Sequence, residues 1–319
     1  MGFGVDTTCF LFATNDVSLS VTNGNGIDWK AFKAWKGVYP TFAGRYFGGG
    51  SSYKAGEFKS AYGTTGTHGA LQYIFPIQAS QGGGTGNYYG QSYYDVTGTT
   101  GYNYGVHDAT QLCNTMANAL ATTELHVQSS GTGLVIVYLD VESGLAPLKS
   151  AYWAGWANTV HTYQLSGTTT KPFVPGIYCG YTTSGGKYVV PSDIQTVFDN
   201  AAKYWTHSNV RCRGLWTAEP EPCSYCTSGA DVSADWGQFA TTTQTLQTGT
   251  VEVPLYLWQY AEYGNVSSQT GGCVYPTTTI AGVKYFGCGP DSSFAGGQNL
   301  DLDGSDSRGG EAYVFKIVP

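Results

Sequence analysis

Two carboxylates follow a strongly apolar run near the middle of the chain. Residues 134–139 read Leu-Val-Ile-Val-Tyr-Leu, and Asp140 and Glu142 come directly after them with Val141 between. Side chains of a β-strand alternate between two faces, so both acids would share one face, about 6–7 Å apart along the strand. Carboxyl groups this close perturb each other's ionisation, and glycoside cleavage needs one protonated acid beside one charged stabiliser. The alternative interpretation is that one carboxylate caps the next helix and the other is solvated.

Further acids lie at the ends of two other short apolar segments. Asp6 ends the first segment of the chain, and Asp301 and Asp303 end the last one. In a barrel of parallel strands the first and last strands are neighbours, so acids at the carboxyl ends of strands one, four and eight meet at one rim. The predicted cluster consists of Asp6, Asp140, Glu142 and Asp301.

Eight short segments rich in apolar, β-branched and aromatic residues must position these acids. Helical patterns separate them, and this alternation is typical of βα units around a parallel sheet. The predicted strands are Phe3–Thr8, Thr41–Phe47, Ala70–Ala79, Leu134–Glu142, Phe173–Gly180, Gly214–Ala218, Pro254–Tyr260 and Gln298–Asp303. Eight strands are the number that closes a (β/α)8 TIM-type barrel. The sequence therefore predicts one α/β domain of this kind over residues 1–319.

Four helices and three long loops complete the predicted fold. The helices are Asp28–Lys36, His107–Thr123, Ala146–Tyr163 and Pro191–Thr206. The loops are Gln81–Gly105, Glu219–Thr250 and Glu262–Gly297. Each loop follows a predicted strand, so we expect all three at the C-terminal face of the strands, where barrel enzymes build their active sites.

The composition restricts the class of partner. The chain has a formal net charge of −7, and its sequence contains no cluster of Lys and Arg. We therefore expect neither a nucleic acid nor an anionic membrane as partner. Charged residues make up 12% of the chain, about half the usual share. A surface of Thr, Ser, Asn, Gly and Tyr is typical of extracellular proteins.

The eight cysteines agree with an extracellular location, because an even number favours disulfides in an oxidising compartment. We expect one bridge between Cys273 and Cys288, and another from Cys212 to Cys223 or Cys226. The alternative is a zinc site, for which the spacing offers His207, Cys212, Cys223 and Cys226. The disulfide interpretation is preferred, so neither a metal nor a cofactor is expected.

Seven short motifs occur in order along the chain. They are Gly4-Val5-Asp6, Ile27-Asp28-Trp29, Leu139-Asp140-Val141-Glu142, Pro175-Gly176-Ile177-Tyr178, Leu215-Trp216-Thr217-Ala218, Leu257-Trp258-Gln259-Tyr260 and Leu300-Asp301-Leu302-Asp303. Together they resemble the strand motifs of the family-25 glycoside hydrolases, which are N-acetylmuramidase-type lysozymes. The resemblance runs from residue 4 to residue 303.

The resemblance implies Glu142 as the general acid, flanked by Asp140, Asp6 and Asp301. The second strand departs from it, because Gly44-Arg45-Tyr46-Phe47-Gly48 stands where the lysozymes carry Lys-Ala-Thr-Glu-Gly. That segment is similar to a related branch, the glycoside-hydrolase-like domains of unassigned activity.

Five further residues are candidate glycan contacts. Arg45 could bind a substrate carboxylate, or pair with Asp6 inside the protein. The aromatic side chains that could stack on sugar rings, or belong to the core instead, are Tyr178, Trp216, Trp258 and Tyr260.

The sequence leaves two functions open. The first is an extracellular glycoside hydrolase acting on an amino-sugar glycan such as peptidoglycan. The second is a non-catalytic barrel that binds carbohydrate or self-associates through the Tyr/Gly-rich segment 81–105. The Asp140 and Glu142 pair favours the first, and the low charge favours the second.

Overall fold

A computed structural model gives the fold of the chain. The described residues are 2–7, 10–13, 26–27, 29, 33, 38–48, 53–63, 66–78, 97–127, 133–141, 148–180, 182–184, 187–189, 192–205, 210–218, 246–248, 251–261, 278–280, 283–285, 300–305 and 313–318.

Eighteen strands occur among the described residues. They are β1 (Gly2–Thr7), β2 (Phe10–Ala13), β3 (Gly26–Ile27), β4 (Phe42–Gly48), β5 (Tyr73–Gln78), β6 (Leu125–Val127), β7 (Val135–Val141), β8 (Phe173–Gly180), β9 (Thr182–Ser184), β10 (Lys187–Val189), β11 (Leu215–Ala218), β12 (Leu246–Thr248), β13 (Val251–Val253), β14 (Leu255–Ala261), β15 (Thr278–Ile280), β16 (Val283–Tyr285), β17 (Leu300–Ser305) and β18 (Phe315–Ile317). All eight predicted strands are found, with ends shifted by three residues or fewer.

Ten of these strands form one curled sheet. Its order is β4-β1-β17-β14-β11-β8-β7-β5-β18-β6, and β5 pairs with β4 as well. The pairs β1–β4, β4–β5, β5–β7, β7–β8, β8–β11 and β11–β14 are parallel. The chain therefore has an α/β fold with a curled, mostly parallel sheet.

One predicted strand runs in the other direction. β17 pairs antiparallel with both of its neighbours, β1 and β14. The prediction of eight parallel strands is therefore wrong at the last strand. The segment before it contains the hairpin β15–β16, and in the described part of the chain no helix stands between β14 and β17 to carry the crossover that a parallel strand requires.

Four α-helices are found in the described residues. They are α1 (Glu57–Tyr62), α2 (Gly98–Ala121), α3 (Ser150–Thr162) and α4 (Ser192–Ala201), with a 3-10 turn at Ala202–Tyr204. Of the first predicted helix, Trp29 and Lys33 are described and both are helical. None of the four helices is long and apolar enough to cross a membrane.

Helix α2 begins nine residues earlier than predicted, inside the segment 81–105 that was expected to be a loop. Each glycine in a helix costs about 1 kcal/mol relative to alanine, which is why Gly98, Gly101 and Gly105 indicated a loop. Packing outweighs this cost. A Cβ on Gly105 would overlap the carbonyl oxygen of Tyr152, and a Cβ on Gly155 would overlap that of Tyr102. The glycines therefore let the backbones of α2 and α3 touch.

The two faces of the sheet carry separate cores. One core lies between sheet and helices and includes Val135, Val137 and Leu139 of β7. The other fills the inside of the curl and includes Ile136 and Tyr138 of the same strand. Because both faces are buried, β7 reads as a nearly continuous apolar run rather than an alternating one. A residue's parity along its strand therefore decides which core it joins.

Candidate functional site

Asp140 is the last inward-facing residue of β7. It lies two positions beyond Tyr138, whose side chain belongs to the inner core, and it is 4% exposed. The alternation of the strand places it on the same face as Tyr138, which is the inner one. A carboxylate this deeply buried requires polar partners.

Tyr46 supplies one of those partners. Its hydroxyl donates a hydrogen bond to Oδ2 of Asp140 over 3.2 Å, and both groups are buried. Sequence reasoning missed Tyr46. The alternation of side chains along β4 could have identified it. Phe42, Gly44 and Tyr46 share the inner face of β4, as Tyr138 and Asp140 share that of β7.

Tyr178 lies beside Asp140, since the two residues are partners in the β7–β8 register. Its side chain is 5% exposed and meets Trp216 edge to face, with ring centroids 5.3 Å apart. Trp216 is fully buried and also contacts Tyr138 and Phe75 edge to face. The structure therefore places Trp216 in the core below the site, where it cannot stack on a sugar, while Tyr178 lies next to the carboxylate.

The inner core below Asp140 depends on two glycines. A Cβ on Gly176 would overlap Ile136, and one on Gly214 would lie 2.9 Å from Ile136 and 3.1 Å from the hydroxyl oxygen of Tyr138. Burial raises the pKa of Tyr138 well above its ordinary value, so its phenol stays neutral. The core beside the site is therefore aromatic and uncharged at Tyr138.

Asp6 and Asp301 are direct partners in the antiparallel β1–β17 ladder. Asp6 also stands beside Gly44 in the parallel β1–β4 register. The two acids meet for a reason other than the predicted one: Asp301 is near the start of an antiparallel strand, so it lies where β1 ends. Their strand positions are described, but their side chains lie outside the described part of the structure.

Several other predicted site residues, or their side chains, lie outside the described part of the structure. Glu142 lies outside the described residues, directly after β7. Trp258 and Tyr260 stand in β14, and their side chains lie outside the described part. Residues 81–96 of the Tyr/Gly-rich segment also lie outside it.

Arg45 faces away from the candidate site. It has the opposite parity to Tyr46, is fully buried, and lies on the outer side of β4. Its Nε and Nη2 donate to the carboxylate of Glu57 in α1, over 2.6 and 3.2 Å. Leu11 and Lys54 donate backbone N–H groups to the same carboxylate. This position argues for a role within the fold in place of the predicted glycan contact.

The described cysteines change the disulfide prediction. Cys212 is a buried thiol that donates to the carbonyl oxygen of Gly214, so the predicted bridge to Cys223 or Cys226 is wrong. The predicted bridge between Cys273 and Cys288 lies outside the described residues. Within the part that is described, no group of three or more His, Cys, Asp or Glu side chains is placed to hold a metal ion.

Comparisons with known proteins add weak likenesses. No family model matches the chain, and no curated protein matches it. A solved structure of an uncharacterized B. stearothermophilus protein is 16% identical over 98% of this chain and 99% of that one, with a TM-score of 0.44. A β-mannanase from a symbiotic protist of the termite Reticulitermes speratus, complexed with gluco-manno-oligosaccharide, is 10% identical over 79% and 78% of the two chains, with a TM-score of 0.34. At these scores neither likeness assigns a fold or a function.

Proposed function

We propose that the chain is a glycoside hydrolase that acts on an amino-sugar glycan such as peptidoglycan. The observation that carries the proposal is the buried Asp140 on the inner face of β7, held by the hydroxyl of Tyr46 and flanked by Tyr178. Glu142 follows two residues later in the sequence and completes the Asp-x-Glu pattern. The proposal includes a variant (β/α)8 barrel with seven parallel strands and one antiparallel strand.

The chemistry divides between the two carboxyl groups. Glu142 donates a proton to the glycosidic oxygen, and Asp140 stays ionised and stabilises positive charge near the anomeric carbon. Asp140 also orients a substrate N-acetyl group that serves as nucleophile, one of the known exceptions to a pair of protein carboxylates. Asp6 and Asp301 bind sugar hydroxyls, and Tyr178, Trp258 and Tyr260 contact the rings.

An extracellular location goes with this substrate. The low charge and the neutral polar composition support it. Because Cys212 is a buried free thiol, one of the predicted disulfides no longer supports an extracellular location.

The test compares cleavage by the wild type, Glu142→Gln and Asp140→Asn, measured as loss of peptidoglycan turbidity and release of reducing sugar from peptidoglycan and chitin-type polymers. General acid catalysis contributes roughly 10²–10⁴-fold, so Glu142→Gln should lose about that much of kcat while the fold and glycan binding persist. Glu252→Gln is the matched control, because Glu252 is exposed in β13 and should leave the rate unchanged.

Equal cleavage by wild type and Glu142→Gln would remove Glu142 as the acid. No cleavage by the wild type on any amino-sugar polymer would overturn the hydrolase. The non-catalytic alternative would then be measured directly, as glycan pull-down for binding and light scattering for self-association through residues 81–105.

A further inference from the structure

We infer that Tyr46 is a positioning residue that keeps Asp140 charged and oriented at the inner rim of the sheet. The consequence for turnover rests on the proposed hydrolase, whereas the effect on Asp140 is measurable without any substrate. The sequence comparison with the lysozymes does not supply this role, because the Gly44–Gly48 segment departs from them.

The hydrogen bond crosses a strand. β5 lies between β4 and β7, and Ile77 of β5 is in register with both Tyr46 and Tyr138. Tyr46 therefore starts level with Tyr138 and reaches over β5 to Asp140, two residues nearer the rim. The exposed fractions are 8% for Tyr46 and 4% for Asp140, so water competes little for either group. A hydroxyl that donates to a carboxylate favours its charged form, and more strongly in a poorly polar interior.

The backbone of Tyr46 is held from the opposite side of the sheet. The β4–β5 ladder shifts register between Tyr46 and Gly48, and at this irregularity Nη1 of Arg45 donates to the Tyr46 carbonyl oxygen over 2.9 Å. Glu57 in turn fixes the guanidinium of Arg45. The ion pair on the outer face thus holds the peptide whose side chain serves Asp140 on the inner face.

Tyr138 provides a matched control. It lies in the same inner core, its hydroxyl is buried, and that hydroxyl has no hydrogen-bond partner among the described residues. Tyr138→Phe therefore removes a phenol oxygen from the same interior without removing a described donor to Asp140. Among the described side chains, the titratable group in register with Asp140 is Tyr178. Asp6 and Asp301 are strand partners at the end of β1, and Glu142 follows Asp140 by two residues in the sequence. All of these groups are common to both variants.

The experiment follows the ¹³C-carboxyl signal of Asp140 against pH in the full chain, with the signal assigned by its loss in Asp140→Asn. In Tyr46→Phe the midpoint should rise by about one pH unit relative to wild type, the size expected for one hydrogen bond to a charged group. In Tyr138→Phe it should not move. An unmoved midpoint in Tyr46→Phe, or equal shifts in both variants, would overturn the inference.

A second variant tests the inference in case Tyr46→Phe folds poorly. Incorporation of 3-fluorotyrosine at position 46 keeps ring and hydroxyl but makes the hydroxyl a stronger donor, so the Asp140 midpoint should fall. A rise or no change would contradict the inference.

The two proposals fail separately. A chain that cleaves no glycan but shows the midpoint shifts loses the hydrolase and keeps the role of Tyr46. A chain that cleaves glycan without the shifts keeps the hydrolase and loses that role. If both hold, the acid limb of the kcat/KM pH profile moves up in Tyr46→Phe by the same amount as the midpoint.

Discussion

Removal of Arg45 should be among the most destabilising single changes in the chain. In Arg45→Met the carboxylate of Glu57 stays buried and loses both guanidinium donors, keeping the described N–H groups of Leu11 and Lys54. Both side chains of the ion pair are fully buried, so water cannot replace the lost partner. Removing one member of a buried pair typically costs about 3–5 kcal/mol, a large part of the 5–15 kcal/mol that stabilises an ordinary domain.

The double variant separates the cost of an unpaired buried charge from the cost of replacing the two side chains. In Arg45→Met/Glu57→Met no buried charge remains, so the loss should be smaller than the sum of the two single losses. It should not vanish, because the Leu11 N–H would be left without the Glu57 acceptor, at a cost of about 1–3 kcal/mol. A buried pair is also weakly screened, so these differences should hardly change between low and high salt.

The assay is urea unfolding followed by tryptophan fluorescence, with Arg213→Met as the control because Arg213 is exposed. An exposed substitution of this kind should stay within about 0.5 kcal/mol of wild type. If Arg45→Met loses no more stability than Arg213→Met, the buried ion pair does not hold α1 to the sheet, and the account of how Tyr46 is fixed fails with it.

Three further changes have definite expected results. Gly155→Ala should destabilise by about 1–3 kcal/mol in urea unfolding despite its better helix propensity, since the methyl group meets the Tyr102 carbonyl oxygen; a more stable variant would refute the close helix contact. Burial raises the pKa of Cys212 to about 12, so iodoacetamide should modify this thiol only after unfolding, and rapid modification of the native protein would show the site to be open. Burial also raises the pKa of Asp108, so the folded state binds its proton more tightly and stability falls as pH rises from the unfolded value, about 3.9, through the folded one. Asp108→Asn keeps an oxygen for the Tyr152 hydroxyl, and its stability relative to wild type should increase from acid to neutral pH; a constant difference would refute the assignment.

The strand positions could be predicted because their signal is local. β7 is buried on both faces, and such a strand must be apolar along nearly its whole length, which the run 134–139 shows directly. The two-residue period placed Asp140 on the same face of β7 as Tyr138, and the packing of Tyr138 shows that this is the inner face. The same alternation implies that Arg45 points away from Asp140. This could be deduced only after another residue of β4 was known to face inward.

Tertiary structure alone decided the direction of β17, the start of α2, the role of Trp216 and the bond from Tyr46 to Asp140. Strand direction depends on how the preceding chain returns to the sheet, which no local pattern records. Gly105 of α2 is unfavourable in an isolated helix and becomes favourable where α2 meets the backbone of α3. A tyrosine in β4 and an aspartate in β7 are 94 residues apart in sequence, and they meet because the curl of the sheet brings the inner faces of both strands together. The sequence by itself located eight of the strands and placed Tyr138 and Asp140 on one face of β7, because strand patterns are periodic and local. The partners of these residues are set by non-local packing.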